Sequence, residues 1–473
     1  MIESRWVYRK RASPSGVPDA ATLKSHRISH LDSVYARAAE RVAIHLPRAA
    51  TILLQAKLHK MIESLVYRKR ASPSGVDEVA APRDSINLLK NAVYARAAEG
   101  WEALPHTPIT SFTSVKLASK QIGGTMYKLD YLANFARNKE AWQILANEPY
   151  AIPNPFSLED SKRTKALQRR MGEMFGREWV QFFGCTQEDF SALLLRLGVE
   201  QCAMSVGFSQ AAYQSFGLFD NLQKLIAPTT ESVCALDTRY YFIPYVNEDT
   251  LSLNPILDIA HALDSTGREW VLFVEVSALV QVGAWELLAT LCHPQIAFVV
   301  SGERIGLTPR SGFVAHSLGS LVPYLDAPLA SGFMAALHCA CEGLRASAHL
   351  WEYCTRGYNA LLFRYLTELL GERVGLFTPL DACLGNCLAL RVFGAKARVL
   401  AQSLLLEDVA VINGADCLLG NFKPSFVLGE LGFEEPHCRE LLSISFMNLS
   451  PEELALIAQK IAKVCAITQA LEI

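Results

Sequence analysis

Residues 268–317 carry the clearest succession of apolar runs and polar breaks in the chain. VLFVEVSALV (Val271–Val280) and IAFVV (Ile296–Val300) are short, rich in β-branched residues and almost uninterrupted. Strands buried on both faces have this composition. A short helical segment separates the two runs. The second breaks at Ser301-Gly302-Glu303-Arg304, and a further strand begins at Gly312-Phe313-Val314-Ala315. One acid, Glu275, interrupts the first run. In an open α/β sheet, ligands bind outside the carboxyl ends of the strands. The pattern therefore predicts that Glu275 and the turn bearing Arg304 meet at that edge.

The same rhythm precedes this stretch. Strand Trp179–Phe183, turn Gly184-Cys185-Thr186 and helix Asp189–Leu197 are followed by strand Ala203–Phe208 and helix Ala211–Phe219. Strands Ser232–Leu236 and Tyr240–Tyr245 and helix Pro255–Leu263 come next. Strands alternating with helices predict a mainly parallel sheet covered on both faces. Upstream, Val115–Leu117 and Gly123–Leu129 have the pattern of a hairpin. Ser161–Phe175 has that of an amphipathic helix with Leu167, Met171 and Met174 inward. After Pro328 the pattern turns helical, over Ala330–Arg345 and Leu350–Leu370. Strands Leu388–Phe393 and Leu441–Met447 and helix Ser450–Leu471 close the chain, and Ser450 and Glu453 form a capping box. Three parts follow: a duplicated, partly helical segment at 1–104, a large sheet domain at 105–328, and a helical connection with a small α/β domain at 329–473.

The first hundred residues repeat themselves. Met1–Ser4 and Val7–Val17 recur as Met61–Ser64 and Val66–Val76, and Val34–Glu40 recurs as Val93–Glu99. Two copies do not build a solenoid. A tandem duplication, or a start placed too early with Met61 as the alternative, accounts for them. Between the copies, Ala49–Ser64 has Leu53, Leu54, Leu58 and Ile62 on one helical side and a basic far end. Two uses fit it, peripheral contact with a membrane surface and packing against a partner.

Composition narrows the classes. The chain has 473 residues, 51% hydrophobic, and a net charge of −2, which gives no electrostatic case for nucleic acid. No apolar run reaches the ~18 residues of a membrane span. Twelve cysteines are scattered, and the close pairs Cys339/Cys341 and Cys383/Cys387 lack further ligands at zinc spacing. Free thiols in a reducing compartment are the expectation.

The order of parts resembles the pyridoxal-phosphate (PLP) enzymes of fold type I, and within them the α-oxoamine synthases, which condense an amino acid with an acyl-CoA. Asp130–Phe135 (DYLANF) is similar to the family's entry into its first helix, and Ala166–Phe175 to its "LE" helix. Gly176–Leu194 resembles its phosphate-holding strand, turn and helix. Phe242–Ile259, Val271–Gly283, Asp326–Leu344 and Leu441–Val464 resemble later segments in the family's order. The resemblance spans roughly 111–464. It implies a PLP-transferase fold with a large domain and a smaller C-terminal α/β domain.

The resemblance also shows what is missing. An active member needs a lysine just past the strand ending at Val300 to form a Schiff base with PLP. Arg304 stands there, and no lysine lies between Lys224 and Lys396. Arginine offers no free amine. Glu275 takes the place of the aspartate that pairs with the pyridine nitrogen, and Ala278 that of a histidine. Ser209–Ala212 contains no ring to stack on the cofactor, Tyr213 lying just beyond. Tyr150–Ser157 has no glycine where the family has a glycine-rich loop. Apart from the glycine-free loop, where this chain departs from them, these losses together are similar to the non-catalytic long-chain-base subunits of serine palmitoyltransferase. They imply no catalytic residue on this chain, PLP bound by a lysine-bearing sister subunit, and serine and acyl-CoA as substrates of the complex. They also imply a place on the cytoplasmic face of the endoplasmic reticulum membrane.

Glu275, Ser277, Thr186, Ser301 and Arg304 are the candidate lining of a vestigial pocket. Each has a plainer role available. Glu275 pairs with Arg304 or Arg310 as a structural ion pair, and Thr186 and Ser209 serve as ordinary helix caps. Arg304 and Arg310 either bind an anion, such as a CoA phosphate or a partner's carboxylate, or are solvated. His316 and His338 are expected to be structural.

Overall fold

The computed structural model describes residues 126–147, 158–325, 331–347, 349–414 and 423–470. All belong to one unit, Ala118–Ile473. The duplication, the Ala49–Ser64 segment, the glycine-free loop Tyr150–Ser157 and most of the predicted hairpin lie outside them.

Seven strands form the main sheet. In chain order they are β2 (Trp179–Phe182), β3 (Cys202–Ser205), β4 (Gln223–Leu225), β5 (Tyr240–Pro244), β6 (Val271–Glu275), β7 (Ile296–Ser301) and β8 (Gly312–His316). β1 (Tyr127–Lys128) lies elsewhere. Across the sheet the order is β2-β8-β7-β6-β5-β3-β4. Neighbours from β7 to β4 run parallel, and β8 is antiparallel to both β7 and β2. The sheet is thus mainly parallel, as the alternation of elements predicts.

Side-chain alternation explains why the central strands are apolar throughout. Leu272 and Val274 of β6 join Tyr241, Ile243, Phe298 and Val300 in one core. Val271 and Phe273 join Tyr240, Phe242, Ala297 and Val299 in a second core on the opposite face. Both faces are dry, so neither register can be polar. Helices α1 (Lys139–Asn147), α2 (Leu158–Phe175) and α3 (Gln187–Leu197) pack around this sheet, the first two on the first core and α3 on the second. In α2, Met171 is buried, and Leu167 and Met174 pack partly buried beside it.

A third core forms the small lobe. Strands β9 (Val374–Leu376), β10 (Cys387–Val392) and β12 (Leu441–Ser445) make an antiparallel sheet in the order β12-β10-β9. Leu388, Leu390, Leu442 and Ile444 pack there against α4 (Tyr358–Leu370) and α5 (Pro451–Ala470). The capping box of α5 forms: Glu453 N–H donates to Ser450 Oγ at 3.2 Å, and Ser450 N–H to Glu453 Oε2 at 2.8 Å.

Several local predictions differ. Ser232–Leu236 is no strand; Thr230–Cys234 is a helix, because Thr229 and Ser232 cap its first turn reciprocally. The predicted helix Ala211–Phe219 is one helical turn, Gln210–Tyr213, followed by a 3-10 turn. The predicted helix Leu350–Leu370 breaks at Gly357, whose φ of +67° is a left-handed break. Tyr127–Lys128 pairs in parallel with β11 (Val409–Ala410), not within a hairpin. Among the described residues no helix is long and apolar enough to cross a membrane.

Candidate functional site

The carboxyl edge of the sheet gathers residues from five strand ends. β6 ends on Glu275. The chain leaving β7 forms a tight turn, in which Leu307 N–H donates to Gly302 O at 2.8 Å and Gly306 adopts φ of +87°. Trp142 Nε1–H and Asn138 N–H both donate to Gly306 O, at 2.9 Å each, which docks α1 on this turn. A side chain at Gly306 would meet Ala136 O at 2.6 Å, so only glycine permits the approach. The result aims Arg304 back over the sheet edge.

Arg304 Nη1 donates to Glu275 Oε2 at 3.0 Å and to Glu248 Oε1 at 3.2 Å. The predicted meeting of Glu275 and Arg304 is present, and Arg304, not Arg310, is the partner. Glu248 completes the cluster from the turn after β5. The side chains are almost fully enclosed, at 4% exposure for Glu275, 11% for Arg304 and 20% for Glu248. Backbone amides hold the remaining oxygens. Ser277 N–H donates to Glu275 Oε1 at 3.0 Å, and Gln210 N–H to Glu248 Oε2 at 3.3 Å. Ser277 Oγ accepts from Ser301 N–H at 2.8 Å, tying the ends of β6 and β7 together.

Two acids share one guanidinium, and the titration of Glu248 reflects it. Burial pushes the Glu248 carboxyl up to about 7; Arg304 opposes this, while Glu275 and Asp249 add to it. Burial pulls the Arg304 guanidinium down, but Glu275 and Glu248 outweigh it and raise it overall. Burial also holds the nearby Cys185 thiol well above its usual range.

Thr186 lies at the phosphate position of the resemblance, the N-terminus of α3. It is a cap. Asp189 N–H donates to Thr186 Oγ1 at 3.2 Å. Thr186 N–H and Oγ1–H donate in return to Asp189 Oδ2, at 3.1 and 2.8 Å. The Asp189 carboxylate also sits so close to Gly184 that a Cβ there would strike it. The positive end of this helix is therefore satisfied by an acid of its own chain. Ser209 likewise caps its helical turn, accepting from Ala212 N–H at 3.2 Å. Tyr213 turns to the small lobe, stacking on Phe426 with ring centroids 4.2 Å apart and donating to Glu430 Oε1 at 2.8 Å.

His316 is structural. It is wholly buried, its Nε2 lies 2.9 Å from Gln181 Oε1, and its Nδ1 accepts from Leu318 N–H. Burial pushes its pKa down to about 4, so it is neutral at pH 7. His338 pairs with Glu342 one turn later at 3.3 Å. Among the described residues no group of three or more His, Cys, Asp or Glu is placed to hold a metal ion.

These residues do not fit PLP held by this chain. Among the described residues no lysine follows β7 at this edge, and both Glu275 oxygens are committed, one to Arg304 and one to Ser277. The helix terminus that would face a phosphate already faces Asp189. Glu248 is the member that sequence reasoning missed. It lies 56 residues from Arg304, and its only local signal is the acidic pair Glu248-Asp249 in a turn of small polar residues after β5.

No family profile matches the sequence, and no curated protein does. Solved structures do. A NifS-like protein shares 14% identity, with 72% of this chain and 100% of that one covered and a TM-score of 0.56. The NifS-like protein from Rickettsia africae shares 14%, with 74% and 100% covered and a TM-score of 0.54. A cysteine desulfurase from Thermococcus onnurineus shares 13%, with 73% and 94% covered and a TM-score of 0.52. These are proteins of the type I PLP-transferase fold, and at such identities the likeness is one of fold.

Proposed function

We propose that this chain is a non-catalytic subunit of serine palmitoyltransferase or of a close α-oxoamine synthase. One observation carries the reading: an arginine, locked by two carboxylates, stands just past β7, where the family resemblance calls for the Schiff-base lysine. The ordered resemblance of Asp130–Phe135 through Leu441–Val464 supports the choice of family. In this reading a lysine-bearing sister subunit carries the PLP and condenses serine with palmitoyl-CoA. This chain supplies the matching half of the dimer, at the cytoplasmic face of the endoplasmic reticulum membrane.

The test is co-purification of the full chain from native lysate, with absorbance spectroscopy of the chain alone. A lysine-bearing homologue of the same fold is expected to co-purify, and the chain alone is expected to show no aldimine band. A stoichiometric cofactor band removed by borohydride overturns the reading. A homodimer without such a partner favours the other use of this fold, a binding or scaffold pseudoenzyme, which the self-contained Glu248–Arg304–Glu275 cluster also suits.

A further inference from the structure

The turn that carries Glu248 does more than complete the ion cluster. Residues 247–253 form a compact loop, with Asn247 Oδ1 accepting from the Asp249 and Thr250 amides at 3.0 Å each. Its outer side is bonded to the small lobe at four points. Leu253 N–H donates to Ala382 O at 2.8 Å, and Thr378 Oγ1–H to Thr250 O at 2.7 Å. Ser443 Oγ–H donates to Asp249 O at 2.6 Å, and Ser425 Oγ–H to Asp249 Oδ2 at 2.5 Å. Its inner side is held to the main sheet by Glu248, through Arg304 and the Gln210 amide. The loop is therefore a clasp between the main sheet and the small lobe, and Glu248 is its side-chain attachment to the sheet edge.

We propose that Glu248 and Arg304 form a proton-operated latch that sets how firmly the small lobe is held on the sheet. The charge count gives the sign. Glu275 at the end of β6 and Glu248 bond the one guanidinium, Glu303 beside it adds negative charge, and Asp249 bears on Glu248 from the next position. Cys185 from the β2 end and Cys387 of the small lobe are neutral thiols held up by burial. The closed cluster thus has a surplus of negative charge and favours a proton on Glu248. An opened clasp exposes Glu248 to water, where it ionises as an ordinary carboxylate. The closed form binds the extra proton, so acid holds the latch and rising pH releases it. This holds whatever partner the chain has, because both sides of the clasp belong to one chain.

The experiment is hydrogen exchange by mass spectrometry on the full chain at pH 6 and pH 8, corrected for intrinsic exchange. The carboxyl shift from its ordinary 4.5 to about 7 predicts that opening at the clasp rises on the order of tenfold over this range. Segments 247–255, 376–386 and 441–446 report it. In Glu248→Gln the pH effect disappears, whereas His316→Gln, on the far side of the sheet at β8, retains it. Equal protection of the wild-type segments at the two pH values overturns the proposal, whether or not the variant is stable enough to measure. So does an undiminished pH effect in Glu248→Gln.

Discussion

Replacing Arg304 with methionine removes the charge from the cluster while keeping an apolar stem of similar length. Two enclosed carboxylates then lose their shared partner. Glu275 keeps only the Ser277 amide, and Glu248 only the Gln210 amide. Breaking a buried ion pair from one side costs about 3–5 kcal/mol. Proton uptake sets an independent ceiling. An unpartnered carboxylate escapes its penalty by taking a proton, at about 1.4 kcal/mol per pH unit above an ordinary glutamate pKa of about 4.3. At pH 7.5 that is about 4 kcal/mol for Glu275. Glu248, already raised to about 7 with the arginine present, adds less than about 1 kcal/mol. The two routes agree. They also require the penalty to fall by about 3 kcal/mol between pH 7.5 and pH 5.5, because the proton becomes cheap. Urea unfolding of wild type and Arg304→Met, followed by tryptophan fluorescence and circular dichroism at both pH values, measures this. A penalty below about 1 kcal/mol at pH 7.5, or one that is the same at both pH values, refutes the argument that Arg304 is there to neutralise buried acids.

Two further substitutions test other parts of the fold. His316, held down at about 4 against 6.5 when unfolded, contributes stability that is present above pH 6.5 and lost as pH falls towards 4, about 3 kcal/mol in all; His316→Gln should flatten that acid-side slope in the same unfolding assay. Gly306→Ala places a Cβ 2.6 Å from Ala136 O and 2.8 Å from Asn138 N at a positive φ, and should cost at least about 2 kcal/mol, whereas Gly319→Ala, which meets nothing within 4 Å, should stay within about 0.5 kcal/mol by thermal unfolding.

The architecture was legible where a single physical demand governs a long run of residues. β6 and β7 had to be apolar at every position because helices cover both faces, and their composition says so directly. Short runs were less faithful. Ser-Val-Cys-Ala-Leu at 232–236 suits a strand by composition, yet the reciprocal Thr229–Ser232 cap decides for a helix. β4 escaped notice because Gln223-Lys224-Leu225 is an edge strand with one buried side chain. At the site, Glu275 and Arg304 were legible because each ends a recognisable strand. Glu248 was not, because its loop has no period, and its pairing is fixed by how β5, β6 and β7 line up side by side. Thr186 was visible as a cap, but the return contact from Asp189 to Gly184 depends on a bend of the backbone that composition does not encode.

The Asp189 carboxylate at the head of α3 bears on what it would take to seat a cofactor at this edge. A variant designed to hold PLP would need a lysine at 304, the acid cleared from the helix terminus and Glu248 removed from the edge. Taken singly, the first change leaves a smaller cation between two acids, the second removes one side of a reciprocal cap, and the third removes the loop's side-chain tie to the sheet edge. Each intermediate step weakens the fold and yields no binding in return. A ligand site built at this edge would therefore compete with folding stability, because the fold's own side chains already take up the positions a ligand would use.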